Sequence, residues 1–315
     1  MSAAPAIPII DLSKPDPDLI AAACESWGLF HIKHHGVPDE LVTGLRVASH
    51  SFFSAPAAVR EVVTRTRLNP WGLFDRELTK NVRDWKEIFD VGPEYGTSIP
   101  QWPTSIPDFR SALENYTATV HALSLRLLAL IVQSIGHSQT NIVPAFADHT
   151  SFLRLNHYPL CATPAAPDSP TVPERGNLGI GYHTDAGALT VLDQADIPGL
   201  QVLHDNQWIN VDIVPGCFTV NIGDVVQVWS NDRFPAPLHR VLANSREERY
   251  STAYFLNPPA DFDYLPLLPP DQVDKARYRS INWRHFREQR AAGDYANDGE
   301  EIQISHFRST VISQA

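Results

Sequence analysis

The sequence predicts a mainly β protein with flanking helices. Its core would be a double-stranded β-helix (jelly roll), preceded by an α/β N-terminal region and followed by a C-terminal helix. Three observations carry this reading. Residues 178–256 hold recurrent short runs of alternating or β-branched residues, separated by turns such as His204-Asp-Asn-Gln207 and Asn221-Ile-Gly-Asp224. Many short strands joined in this way suit a jelly roll, one route by which antiparallel sheets manage their edges. A single long helical pattern precedes them at 108–135, and the texture turns to short strands after Phe152.

Taken in order, Ile7–Leu12 reads as a short strand, Asp18–Ser26 as a helix and Trp27–Lys33 as a returning strand before Gly36. Asp39–Phe53 is helical, with Leu41, Leu45, Ala48 and Phe52 on one stripe. Leu78–Asp90 mixes polar and aromatic residues and reads as an extended, turn-rich segment across the core, with Trp85 or Phe89 at a substrate mouth as the functional alternative. In the 108–135 helix, Leu113, Tyr116, Val120, Leu123, Leu127, Leu130 and Ser134 follow the 3.6-residue period, and Gly136 stands where a C-terminal cap belongs. That stripe is core, long enough to buttress one face of a sheet. Pro164, Pro167, Pro170 and Pro173 rule out regular structure over 161–177, which is read as a surface loop flanking the site opening. Beyond Pro258-Pro259 the pattern is helical around Gln272–Ala292, with a polar tail over the outer face of the barrel. The expected organisation is an N-terminal α/β region at 1–148 packed on a core at 149–258, then a helical extension at 259–315.

Composition narrows the function. A chain of 315 residues, 43% hydrophobic, can bury a substantial core. A formal charge of −11 argues against nucleic acid as a partner, because such binding rests on basic patches. Cys24, Cys161 and Cys217 form no even framework and no C-x-x-C pair, which fits a reducing compartment. With no basic-then-apolar leader and no apolar run approaching a membrane span, the expectation is a cytoplasmic protein without membrane association, monomeric by default.

The chemistry lies in His183-Thr184-Asp185, His239 and Arg249-Tyr250-Ser251. Thirteen His and 36 acidic residues make a His-x-acid pair expected by chance roughly 1.5 times, so the pair alone says little. Its context says more. It sits between glycines and runs into the apolar, β-branched segment Ala186–Leu192, as at the mouth of a strand. His and Asp two apart on a strand share a face. A distant second histidine completes the two-histidine, one-carboxylate set that suits a non-heme iron oxygenase and leaves coordination positions open. His239, within the short apolar run Leu238–Leu242, supplies it, and Arg249 adds a cation able to grip a carboxylate in bidentate fashion.

The chain resembles the plant- and fungal-type 2-oxoglutarate/Fe(II)-dependent dioxygenases, the isopenicillin N synthase-like family, over most of its length. Trp27-Gly-Leu-Phe-His-Ile-Lys-His-His-Gly-Val37 is similar to that family's GFFQVVNHGV segment, and Arg154-Leu-Asn-His-Tyr-Pro-Leu-Cys161 to its R-x-N-Y-Y-P-x-C segment. Gly199-Leu-Gln-Val, Trp208-Ile-Asn-Val, Val220–Asp224 and Ser230-Asn231 follow in the family's order. The resemblance implies Fe(II), 2-oxoglutarate and O2 as cofactors and co-substrates, with ascorbate supportive. His183, Asp185 and His239 would ligate iron; Arg249 and Ser251 would hold the distal carboxylate of 2-oxoglutarate; Tyr158 and Asn156 would contact the co-substrate and brace its strand. Phe255 and Tyr182 are candidates for the substrate wall, as is Trp229, for which core packing is the competing reading. The implied activity is oxidation of a small molecule, as in secondary metabolism, by hydroxylation or a related C–H oxidation with release of succinate and CO2. Two departures bear on the site: Asp232-Arg-Phe-Pro-Ala-Pro237 replaces a Gly-Lys-Tyr-Lys-Ser-like run, and His157 replaces a frequent Tyr near the metal.

Rival readings are an oxidase of the same family that needs no 2-oxoglutarate, a binding protein without activity, and a hydroxylase acting on nucleic acid or protein. Gly179-Ile-Gly181 lacks the third glycine of a dinucleotide fingerprint, and no Walker-type loop, G-x-S-x-G or H-E-x-x-H is present. His31, His34 and His35 read as surface histidines beside a turn, and Arg154, Arg240 and Arg246 as rivals to Arg249 for the carboxylate.

Overall fold

The computed structural model describes residues 6–138, 140–295 and 302–309. Asp16 caps helix α1 (Pro17–Ser26), its side chain accepting from the Asp18 amide at 2.9 Å, and Pro17 occupies the first turn, where its missing N–H costs nothing. Strand β1 (Ile9–Asp11) pairs in parallel with β2 (Leu29–Lys33). Helix α2 (Asp39–Phe53) and the short α3 (Ala57–Arg60) follow. Next come β3 (Gly72–Phe74), the two-residue strands β4 (Leu78–Thr79) and β5 (Val82–Arg83), and β6 (Glu87–Val91).

Helix α4 (Phe109–Ile135) ends at Gly136, whose φ of 92° is the left-handed cap conformation that glycine adopts without strain. By length and composition α4 is apolar enough to cross a membrane, contrary to the expectation from the sequence. Leu113, Tyr116, Val120, Leu127, Leu128 and Ile131 are nevertheless fully buried against α1, α2 and the sheet, which is the pattern of a core helix.

The remaining strands are β7 (Phe152–Tyr158), β8 (Leu178–His183), β9 (Leu189–Asp193), β10 (Leu200–His204), β11 (Gln207–Asn210), β12 (Phe218–Ile222), β13 (His239–Leu242) and β14 (Arg249–Leu256). A short helix, α5 (Asp224–Trp229), interrupts them where only strands were expected. The major sheet runs β1-β2-β12-β9-β14-β7-β6-β3 and the minor sheet β11-β10-β13-β8. Strands from before residue 148 therefore extend the same sheet that carries β7, β9, β12 and β14. Asp205 and Asn206, with φ of 48° and 61°, make the tight β10–β11 hairpin that their residue types predict.

Alternation along each strand divides the core in two. One cluster fills the space between the helices and the outer face of the major sheet, and includes Phe89, Leu153, Leu155, Val191 and Tyr254. A smaller cluster, including Tyr158, Leu192, Val202, Val241 and Ala253, lies between the sheets.

Several expectations are corrected. Phe89 is fully buried against Phe52 and Phe109, so it lines no mouth. Trp85 is partly exposed and donates to the carbonyls of Pro159 and Leu160. Trp229 packs on Phe146 and Phe262 in the core. His31 is buried because β2 is an interior strand between β1 and β12, and its Nδ1 lies 3.2 Å from Thr219 Oγ1. The 161–177 loop covers the outer face of the minor sheet, where Arg240 donates to the Pro167, Ser169 and Pro170 carbonyls. The C-terminal pattern begins as a 3-10 turn at Pro270–Lys275, and helix α6 starts only at Trp283 (Trp283–Tyr295).

Candidate active site

The register of β14 against β7 assembles most of the site. Arg249 pairs with Tyr158, Ser251 with Asn156, Ala253 with Arg154 and Phe255 with Phe152. Because side chains alternate, all eight point into the barrel. The same rule removes His157, which faces the opposite side of β7, beside Glu87, Phe53 and Tyr250, rather than the site.

A bulge shapes the facing sheet. His239 pairs with His183 and Val241 with Ile180, so two residues of β8 oppose one of β13. The irregularity turns both Ile180 and His183 inward. Tyr182, left out by the bulge, lies instead beneath Lys80, whose Nζ is 5.1 Å from its ring centre, and it lines neither cavity described below. The sequence-based assignment of Tyr182 to the substrate wall is thus overturned.

His183, Asp185 and His239 converge so that one ligand atom from each lies within 4.8 Å of the others. Asp185 Oδ1 is 3.8 Å from His183 Nε2 and 3.7 Å from His239 Nε2. The outer contacts orient this set. His183 Nδ1 lies 2.8 Å from the Gly181 carbonyl, and His239 Nδ1 lies 3.0 Å from that of Pro237. A carbonyl only accepts, so each Nδ1 carries the proton and each Nε2 presents its lone pair to the centre. Pro237 belongs to the 232–237 departure, which lines neither cavity but fixes the tautomer of His239. Asp185 Oδ2 accepts from Thr190 Oγ1 at 2.7 Å and from Asn221 Nδ2 at 3.4 Å, leaving Oδ1 for the centre. Thr190 and Asn221 were missed as site residues, although Asn221 lies in a segment that carried the resemblance.

Electrostatics favour cation binding. Burial, reinforced by the neighbouring His239, pushes the His183 pKa down and keeps the ring neutral. Burial opposes the charge on Asp185, but His239, His183 and the two hydrogen bonds outweigh it and hold the carboxyl below its ordinary range. Gly223 allows this turn to pack on the start of α5: a Cβ there would sit 2.1 Å from the Gly187 carbonyl oxygen and 2.9 Å from that of Asp185. Two imidazoles and one carboxylate suit a divalent transition metal.

Two cavities meet at this triad, and Lys86, Arg154, Ile180, His183, Asp185 and Phe255 line both. The inner one, about 520 Å³, extends past Asn156 and Tyr158 to Arg249 and Ser251. Arg249 is 1% exposed; its Nε donates to the Ile197 carbonyl at 3.0 Å and its Nη1 to Ser251 Oγ at 3.4 Å. Its Nη2 is buried without a hydrogen-bond partner, and no carboxylate pairs with it among the described residues. Burying a cation without a counter-ion is costly, so a bound dianion such as 2-oxoglutarate suits this end of the cavity. The rival cations are committed elsewhere or exposed. Arg154 holds Asp90 through two bonds of 2.7 and 2.8 Å, Arg240 faces outward, and Arg246 lies in an exposed turn.

The outer cleft, about 690 Å³, opens to solvent between Phe152, Phe255, Thr79 and the residues of α6. Buried charge surrounds its base. Lys86 Nζ lies 2.6 Å from Glu77 and 3.5 Å from Asp84, and Arg154 reaches Glu77 at 3.0 Å. Burial pushes the Asp84 carboxyl up to about 6.

Two family models match the chain: the 2OG-Fe(II) oxygenase superfamily over residues 149–258, and the non-haem dioxygenase in morphine synthesis N-terminal region over 7–108. Protein DMR6-LIKE OXYGENASE 2 of Arabidopsis thaliana is 33% identical over 319 residues, covering 97% of this chain and 88% of the relative. Gibberellin 3-beta-dioxygenase 2-1 of Triticum aestivum is 30% identical over 297 residues, covering 89% of this chain and 78% of the relative. The chain belongs to the 2OG-Fe(II) oxygenase superfamily.

Solved structures agree with the family assignment. JOX2 in complex with 2OG, Fe and JA superposes with a TM-score of 0.81 at 27% identity, covering 97% of this chain and 90% of that one. The dioxygenase for auxin oxidation of rice gives 0.72 at 25% identity, covering 96% and 100%. This superfamily member is a non-heme iron dioxygenase that uses 2-oxoglutarate and O2 and oxidises a small molecule. Missing from the sequence-based site are Lys86, Trp283, Arg287 and Arg290, which line the outer cleft together with Arg154, weighed in the sequence only as a rival to Arg249. Trp283, Arg287 and Arg290 lie four and three residues apart, one face of a helix, a signal the sequence did carry.

Proposed function

We propose that His183, Asp185 and His239 hold the Fe(II), that Arg249 and Ser251 grip the distal carboxylate of 2-oxoglutarate, and that substrate enters through the outer cleft. The supporting observation is the pair of cavities joined at one triad, the inner one ending at a buried arginine without a counter-ion among the described residues. When bound, iron with 2-oxoglutarate and O2 supplies the oxidant for a substrate C–H bond, and the co-substrate leaves as succinate and CO2. The protein's own residues do the rest. The Gly181 and Pro237 carbonyls fix both imidazole tautomers, and Thr190 and Asn221 fix the carboxylate rotamer. Tyr158 packs under Arg249, its ring centre 4.7 Å from the guanidinium carbon, which directs that cation along the cavity. Phe152 and Phe255, stacked at 4.8 Å between ring centres, give the substrate an apolar wall. The three cysteines are free and two are buried, which supports a cytoplasmic setting, and the aromatic wall suits a small secondary metabolite.

The test is Fe(II)-loaded protein with 2-oxoglutarate, ascorbate, O2 and a pool of small metabolites, followed by mass spectrometry. Succinate together with a metabolite gaining oxygen, or losing a methyl group or two hydrogens, is the expected result. A changed metabolite without succinate contradicts the proposed use of Arg249 and Ser251.

A further inference from the structure

We propose that the outer cleft takes a small organic acid whose carboxylate is met by Arg287. This inference rests on the site reading above and names the substrate class for it.

The cations of the cleft differ in how they are engaged. Lys86 is held by Glu77 and Asp84, Arg154 by Asp90 and Glu77, and Arg290 by Asp224 at 2.6 Å and the Thr184 carbonyl. These side chains form part of the wall. Arg287 is different: it lines the cleft from α6, half-buried, with no hydrogen bond or ion pair among the described residues. Its guanidinium carbon lies 5.8 Å from the ring centre of Trp283, one turn earlier on the helix. Trp283 is itself fixed by donating from Nε1 to Thr150 Oγ1 at 2.8 Å. Arg290, one turn later, ties α6 to the backbone between His183 and Asp185 and so holds the helix against the triad. Arg287 therefore projects from a fixed platform, with its donors available to a bidentate acceptor.

The rest of the cleft defines the other end of the ligand. Phe152 and Phe255 stack beside the triad and offer apolar faces, while the charged groups at that end, Glu77, Lys86 and Arg154, are already paired with one another. An acid bound with its carboxylate on Arg287 thus lays its apolar or aromatic body along the phenylalanines, and oxidation falls on the body rather than at the acid end.

The experiment uses protein loaded anaerobically with Fe(II) and 2-oxoglutarate, titrated calorimetrically with two acid and amide pairs: 3-phenylpropanoate with its amide, and octanoate with its amide. In at least one pair the wild type should bind the acid about tenfold or more tightly than the amide, a difference of about 1.4 kcal/mol. Arg287→Ala should bring that preference below twofold, and Arg287→Lys should keep part of it. Equal affinities, binding of neither acid, or a preference that survives Arg287→Ala overturns the inference. A parallel titration of 2-oxoglutarate separates the two levels. If wild type fails to bind 2-oxoglutarate, the underlying site reading falls. If wild type and Arg287→Ala bind it equally without acid preference in the cleft, only the anion subsite falls.

Discussion

Replacing Arg249 with methionine should have opposite consequences in the free protein and in the complex. The free protein holds a cation that is 1% exposed, with one hydrogen bond to the Ile197 carbonyl, a long one to Ser251 and a buried Nη2 without a partner among the described residues. Arg249→Met loses an ordinary hydrogen bond, about 1 kcal/mol, and removes an unsatisfied charged donor costing about as much or more. The two nearly cancel, so the melting temperature of the free protein should move by only a few degrees, at about 2–4 °C per kcal/mol. In the complex the same change removes one partner of a buried charge pair, at a cost of about 2–5 kcal/mol. The dissociation constant for 2-oxoglutarate should therefore rise roughly 30-fold to several thousand-fold. Thermal unfolding with and without 2-oxoglutarate reads both effects. Wild type at a ligand concentration of 100 Kd gains about 2.7 kcal/mol; a variant bound 100-fold more weakly gains only about 0.4 kcal/mol at that concentration. An Arg249→Met protein that binds 2-oxoglutarate within threefold of wild type would refute the role given to this residue.

Further outcomes follow from other parts of the fold. His183→Ala should keep the fold, judged by circular dichroism, while losing stoichiometric Fe(II) binding by equilibrium dialysis. Phe89→Ala should cost about 3–5 kcal/mol in urea unfolding, because it empties a fully buried ring site, yet leave the 2-oxoglutarate affinity of the folded protein unchanged. Burial, with the His149 ring centre 4.2 Å away, pushes His121 down from 6.5 to about 4. The unfolded chain then binds more protons between those values, so stability is complete above about 6.5 and declines as pH falls toward 4. His121→Gln should flatten that acid limb in unfolding measured at pH 7 and pH 5; an unchanged slope would contradict the assignment.

What could be read in the sequence was whatever repeats along one element. Helix α2 begins and ends where its apolar stripe does, and α4 ends at the glycine that a left-handed cap requires. The β10–β11 hairpin follows from Asp205-Asn206, whose side chains tolerate positive φ. Arg249, Ser251, Asn156 and Tyr158 were legible because period-two alternation places them on one face and the resemblance supplied the motif. What depends on the partner strand was not legible. The extra residue in β8 is set by pairing with β13, and it turned Tyr182 away from the cleft. His157 took the outer face by the same alternation that brought Asn156 inward. His31 is polar in sequence but buried by its neighbours β1 and β12. The role of α6 was hidden because the contacts that seat it beside the cleft, Arg290 with Asp224 and Thr184 and Trp283 with Thr150, are far apart in sequence.

The central claim is that one triad serves both cavities, with 2-oxoglutarate in the inner one. The most direct test is a crystal structure of the anaerobic Fe(II)–2-oxoglutarate complex, with the iron located by anomalous scattering. The account predicts iron bonded to His183 Nε2, Asp185 Oδ1 and His239 Nε2, and a carboxylate of 2-oxoglutarate on Arg249 and Ser251. Iron held by other residues, or 2-oxoglutarate lying in the outer cleft with Arg249 uncontacted, would contradict it.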